Sequence, residues 1–189
     1  MRGTLKSTCV IVGFLFVLSV LSEAQVIVHA LTGTVSSMNN TTKTITVLQD
    51  NGTIGVFKKV SIPSTHLIFD KRLAAGTTDV DACKRGTYAI VFYYGDSEDP
   101  TVVALKSLGA GPFKSTTGTV ERFDSRAHSL SVKDTSGAEL TFEINADTVQ
   151  ETYLGSVDGT KFHAEKGDKV RLVSATIDGN PMALFVRDM

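Results

Sequence analysis

The sequence predicts an all-β chain built from two copies of one small domain, and three observations carry that prediction. Thr32-Gly33-Thr34-Val35 returns 85 residues later as Thr117-Gly118-Thr119-Val120, and the same offset carries Ile45 onto Leu130, Val47 onto Val132 and Phe57 onto Phe142. Polar and apolar residues alternate in Thr44-Ile45-Thr46-Val47 and again in Ser129-Leu130-Ser131-Val132, the period of a strand with one buried face. Asn51-Gly52 and Ser136-Gly137 follow these runs and supply the positive-φ residues that tight hairpins require. A repeat this long is a domain rather than a solenoid unit.

The copies are preceded by an export segment, residues 1–24. Arg2 and Lys6 give a positive start, residues 9–21 (CVIVGFLFVLSVL) form an apolar run, and Ser22-Glu23-Ala24 places small residues where a signal peptidase reads them. Cleavage after Ala24 is the first expectation, and Val28-His29-Ala30 offers a second site. The run is shorter than the roughly 20 apolar residues a membrane span needs, so no transmembrane anchor is expected after processing. Removing residues 1–24 takes Cys9 with it and leaves Cys83 alone, which excludes an intrachain disulfide scaffold. The processed chain is close to neutral and neither half carries a basic excess, which argues against nucleic acid as a partner. Sequons stand at Asn39, Asn40 and Asn51.

Within each copy, the return strands fall over residues 53–60 and 138–145, the latter with Leu140, Phe142 and Ile144 on one face. The repeat is imperfect here, because Lys59 falls on Ile144; a bulge or register shift could absorb the mismatch, and the sequence leaves that open. Residues 61–85 and 146–166, with Pro63, Gly76, Gly155 and Gly159, read as loops holding at most a short strand or helical turn. Strands resume over residues 87–94 and 168–175, now at an offset of 81. A final hairpin closes each copy, with Val103-Ala104-Leu105 set on Met182-Ala183-Leu184 at an offset of 79. The expectation is a five- or six-stranded antiparallel meander, residues 31–108 and 116–189, joined by a short linker at residues 109–115. A meander leaves edges unless it curls closed, and a small OB-like β-barrel has this strand count and a long connection after its third strand. The fold class expected is therefore two tandem small antiparallel OB-like β-barrels after a signal peptide.

The order of the motifs is GTV, an alternating strand, a glycine turn, a threonine segment (Thr65, Thr148), KGDKV at residues 166–170, and a final strand with a central alanine. This order resembles a bacterial family of exported OB-like β-barrel repeats of unassigned function. The match covers residues 31–108 and 116–187 and is strongest in the second copy, since the first has Lys84-Arg85-Gly86-Thr87-Tyr88 where KGDKV would stand. The resemblance implies a periplasmic or extracellular location and brings no catalytic residues.

Chemistry-bearing clusters are sparse. His163 and Glu165 lie two apart and would share a face if extended, too few for a zinc site, and His66 and His128 have no partner at metal-ligand spacing. Asp79-Val80-Asp81 and Asp96-Ser97-Glu98-Asp99 are oxygen-rich but lack the alternating ligands of an EF-hand, and read as solvated turns. There is no nucleophile-elbow motif and no phosphate-binding glycine loop. The expectation is a non-enzymatic chain with no catalytic residue, no metal and no cofactor.

The aromatic strand is the most informative segment. Residues 88–94 (YAIVFYY) are apolar on both faces. In the second copy Val170 and Leu172 alternate with Lys169 and Arg171, so the inward face of the first copy is Ala89, Val91 and Tyr93. Tyr88, Ile90, Phe92 and Tyr94 then point outward, where the second copy has Lys169, Arg171, Val173 and Ala175. Such a stripe is abnormal on a soluble surface. Packing against the second copy or another chain, as in a homo-oligomer, would cover it. The other use is a ligand-binding platform, since OB sheets bind sugars or bases across one face. The functional expectation is an exported binding or interaction module for a polysaccharide, a peptide or an envelope protein, or else an assembly subunit that oligomerises through this strand.

Overall fold

The computed structural model describes residues 26–59, 67–68, 71–74, 76–77, 83–96 and 98–189. The export segment expected at residues 1–24, His66 and Asp79-Val80-Asp81 lie outside the described residues. The chain is all-β, with two main sheets, one in each half.

In the first half the elements are β1 (Val26–Ile27), β2 (His29–Asn39), β3 (Thr44–Gln49), β4 (Ile54–Lys59), β5 (Leu67–Ile68), a helical turn α1 (Lys71–Ala74), β6 (Tyr88–Tyr94) and β7 (Thr101–Ser107). The second half holds β8 (Lys114–Asp124), β9 (Ser129–Asp134), β10 (Glu139–Glu143), β11 (Val149–Thr152), β12 (Gly155–Asp158), β13 (Lys169–Ile177) and β14 (Asn180–Asp188). Strands β2 and β8 begin two residues ahead of the repeat bounds expected at 31 and 116. The segment at residues 146–166, expected as loop, holds both strands of the β11–β12 hairpin and a 3-10 turn at Gly159–Lys161.

Neither sheet is a simple meander. In the first, the order β2-β3-β4-β7-β6 closes on itself, because β6 returns to pair with β2 while β7 pairs in parallel with β4 at Lys58↔Thr101. In the second, β10-β9-β8-β13-β14 follows the same order and is joined through a parallel β10–β14 pair at Glu143↔Met182, with β11 and β12 added outside β14. A further two-residue parallel ribbon links β1 and β5.

Strand register decides one open point of the repeat and corrects one alignment. The Lys59/Ile144 mismatch involves no slip: Lys59 N donates to Lys43 O at 2.7 Å and Ile144 N to His128 O at 2.8 Å, equivalent bonds at the 85 offset. Lys43 and His128 both carry φ of 50° at these turns, so His128 is a turn residue. In the last hairpin, Ala104 pairs with Phe92 and Phe185 pairs with Val173, so Ala104 corresponds to Phe185 at an offset of 81, not to Ala183 at 79. The local Val-Ala-Leu likeness misleads because the strand pairing, not the side chains, sets the register. Bulges recur at matching places too, at Val35/Ser37 and Val120/Arg122 and again at Phe92/Tyr93 and Val173/Ser174.

The repeated glycine has a steric cause. A Cβ on Gly33 would stand 2.5 Å from Leu48 O and 2.7 Å from Val47 Cγ1, and one on Gly118 would meet Lys133 O and Val132 Cγ1. Strands β2 and β8 therefore press onto β3 and β9 where only hydrogen fits. Each sheet encloses its own core, with Val35, Ile45, Val47, Phe57, Val91 and Leu105 in the first and Val120, Leu130, Val132, Phe142, Leu172 and Val186 in the second. Cys83 is buried in the first core as a free thiol. Gly118→Ala is expected to lower stability by about 1–3 kcal/mol, because the neighbouring backbone cannot yield. Thermal melting checks this, and an unchanged midpoint would mean that β8 and β9 part at no cost.

Candidate functional site

The sequence points to the outer face of β6, and the structure places that face at the seam between the two sheets. Ala89, Val91 and Tyr93 turn into the first core, while Tyr88, Ile90 and Phe92 join a third cluster. That cluster draws Val28, Ala30, Ile90, Phe92 and Ala104 from the first half and Val149, Val173 and Phe185 from the second. Ile90 and Phe92 are fully buried, Tyr88 is half-buried and Tyr94 is half-exposed at the strand end. The paired positions interlock by size, since Phe92 lies across from Ala104 in β6–β7 where Val173 lies across from Phe185 in β13–β14. A ligand therefore has no access to Ile90 or Phe92 while the seam is closed.

Two carboxylates flank this apolar seam. Asp50, at the turn after β3, accepts from Thr32 Oγ1 and from the Tyr88 hydroxyl at 2.8 Å, and Arg171 of β13 stands 3.5 Å from it. Phe113 packs on Tyr88 with ring centroids 4.9 Å apart. Arg171 Nη1 is buried without a hydrogen bond, so its contribution is charge rather than direction. Burial, and then the bond to Asp50 and its charge, push the Tyr88 hydroxyl well above the ordinary tyrosine value.

On the other flank Glu151 of β11 is buried and accepts from Ala30 N at 2.7 Å, from Ser156 Oγ at 2.7 Å and from His29 Nδ1 at 2.6 Å. Ser156 N donates to Val28 O at 2.9 Å, so the start of the first half is fastened onto the β11–β12 hairpin of the second. These bonds offset the cost of removing the carboxylate from water. The Tyr93 hydroxyl is raised by burial and then by the Glu151 charge. A histidine oriented by a carboxylate is half of a hydrolytic relay, but the Ser156 hydroxyl bonds the carboxylate rather than the imidazole. The arrangement holds two sheets together. Val28 and Ala30 are buried here, so cleavage at the second export site would remove both from the seam.

The remaining predicted residues stay apart. His163 Nε2 lies 3.5 Å from Glu165 Oε1, both strongly exposed. Asp96 Oδ1 accepts from Glu98 N and Asp99 N, and Asp99 pairs with Lys58, which makes that acidic segment a hydrogen-bonded turn. Among the described residues no three His, Cys, Asp or Glu side chains gather as a metal site. Asn39 and Asn51 cap their own turns through backbone N–H groups of Thr41, Thr42 and Thr53.

Sequence reasoning missed Asp50, His29, Glu151 and Arg171, whose pairing is long-range. It also missed an exposed apolar face on the β3–β4 hairpin. Leu48 lies across from Ile54, beside Val56, at 45%, 69% and 54% exposure. At the 85 offset the second half has Lys133, Glu139 and Thr141. The same comparison of copies that singled out β6 would have found it. No protein-family model matches this sequence, and comparison with curated proteins finds no match.

Phe92→Ala is expected to cost about 3–5 kcal/mol through a cavity at the seam, whereas Tyr94→Ala should cost less, since Tyr94 is only partly covered. Denaturant unfolding of both variants checks this, and equal small losses would contradict a closed seam. A second expectation concerns alkaline pH. Folded Tyr88 keeps its proton where the unfolded chain releases it, so stability falls as pH rises above about 10. Tyr88→Phe should flatten that decline, with Tyr93 supplying the remainder, and unfolding curves between neutral pH and the alkaline limit measure it.

Proposed function

We propose that this chain is an exported, non-catalytic interaction module made of two OB-like barrels, which contacts its partner through the outer face of β3 and β4. The single observation that carries the reading is the exposed Leu48, Ile54 and Val56 triad, set where the second half has a lysine, a glutamate and a threonine. Exposed apolar side chains gathered on one face mark interaction surfaces. The shared strand order with a parallel closing pair supports the OB-like reading, as does the resemblance to exported barrel repeats. Residues 1–24 support export by their charge and apolar run. The absence of any helix long and apolar enough to span a membrane, among the described residues, is compatible with a body released after processing.

The partner classes that fit are an envelope polysaccharide, a peptide or an envelope protein. Assembly through β6 is less well supported, because Ile90 and Phe92 already pack within one chain. A test uses the processed chain and its Ile54→Lys, Val56→Lys double variant on a glycan array, with light scattering in parallel. The reading expects a monomer whose binding is lost in the double variant while its melting midpoint is kept. A dimer that the double variant dissociates would assign the face to assembly, and an absence of glycan binding would remove the polysaccharide branch.

A further inference from the structure

The β11–β12 hairpin ends in Tyr153 and Leu154, which are 86% and 66% exposed. The turn is held firmly: Leu154 N donates to Thr152 Oγ1 at 3.1 Å, and Thr152 Oγ1 donates to Gly155 O at 3.0 Å. Strand β11 is fixed from outside by its pairing with β14. Gly155 has φ of 107°, and a Cβ there would stand 2.6 Å from Ile27 Cγ2 and 2.9 Å from Val28 O. Ile27 is itself 41% exposed and stands against Gly155, so an exposed isoleucine from the first half lies beside the residue that follows the exposed tyrosine–leucine turn of the second.

The position of Ile27 beside this turn identifies the occupant. Ile27 lies in the first described strand, and only four residues, Ser22 to Gln25, separate Val26 from the apolar run at residues 9–21. Fully extended, that stretch reaches about 17 Å. Whenever the run is held in a bilayer, Ile27 and the turn beside it are therefore tethered close to the lipid surface. A tyrosine beside aliphatic side chains suits the headgroup boundary, where one end of the ring is wet and the other apolar. The contact is small for a protein partner, which takes about 800 Å² per side. It is also too small to hold a free body on lipid, since stable attachment takes two signals.

We infer that Ile27, Tyr153 and Leu154 form a lipid-contacting tip that seats the folded body on the membrane while the N-terminal apolar run is still attached. The tip is the second signal beside that run, and removal of the run releases the body. This inference rests on the export reading of residues 1–24.

The sequence contains no tryptophan, so Tyr153→Trp introduces a single reporter at the tip. Ile54→Trp, on the exposed β3–β4 face, serves as the comparison. The full chain carrying either substitution is reconstituted with phosphatidylcholine–phosphatidylglycerol vesicles, floated on a density gradient, and probed with brominated lipids. The expected result is co-flotation of both variants. The indole emission of the Tyr153→Trp chain should shift to shorter wavelength and be lost on bromolipid, while the Ile54→Trp chain keeps an aqueous spectrum. Processed chain beginning at residue 25 should stay at the bottom of the gradient. Co-flotation with unquenched emission from the Tyr153→Trp chain, or equal quenching in both variants, overturns the tip and leaves the export reading standing. Failure of the full chain to float overturns the tip, while the export reading stands or falls separately on whether exported protein begins at residue 25. A blue shift that grows with protein concentration without vesicles assigns the tip to a second copy and overturns the inference.

Discussion

The burial of Ile90 and Phe92 against Val173 and Phe185 is the contact on which the arrangement of this molecule depends. Each sheet has a core of its own, but β6 is apolar on both faces and would leave two large side chains in water if its sheet stood alone. Burying each is worth about 1.5–3 kcal/mol. The first half thus carries a surface that needs a cover, and the second supplies one by placing Val173 and Phe185 at the matching positions. The size exchange between Phe92·Ala104 and Val173·Phe185 lets the two hairpins interlock.

The apolar seam sets the closeness of the two halves, and the polar groups around it set their orientation. Glu151 accepts bonds from His29 and Ala30 of the first half, and Asp50 faces Arg171 of the second. A buried carboxylate is stable only where its acceptors are filled, so Glu151 permits one placement of the segment that runs from Val28 to Ala30. The aromatic strand, which in isolation reads either as a packing surface or as a platform for ligands, packs Ile90 and Phe92 against the second half. Among the described residues, the β3–β4 face and the β11–β12 tip keep their apolar side chains exposed.

Much of this fold was legible in the sequence because duplication repeats a backbone plan. Gly33 and Gly118 recur since no Cβ fits between β2 and β3 or between β8 and β9, and Lys43 and His128 recur as turn residues with the same φ. The alternation of Tyr88 to Tyr94 between two faces also followed from the charged residues of the second copy. Sequence likeness failed where side chains and register disagree. Val103-Ala104-Leu105 resembles Met182-Ala183-Leu184, but cross-strand pairing puts Ala104 with Phe185. The β11–β12 hairpin was hidden because β11 buries Gln150 and Glu151 on its two opposite faces, each held by hydrogen bonds with distant residues.

By itself the sequence determined that the chain is all-β, that its two halves share one residue pattern, and which face of β6 is unusual. Those properties rest on local patterning and on the comparison of two copies of one plan. What covers that face was decided only in three dimensions, because burial depends on which surfaces meet, and residues from opposite halves of the chain meet at the seam. The strand order, with its parallel closing pairs, was likewise a tertiary matter: alternation tells which side of a strand is buried but not which strand lies beside it.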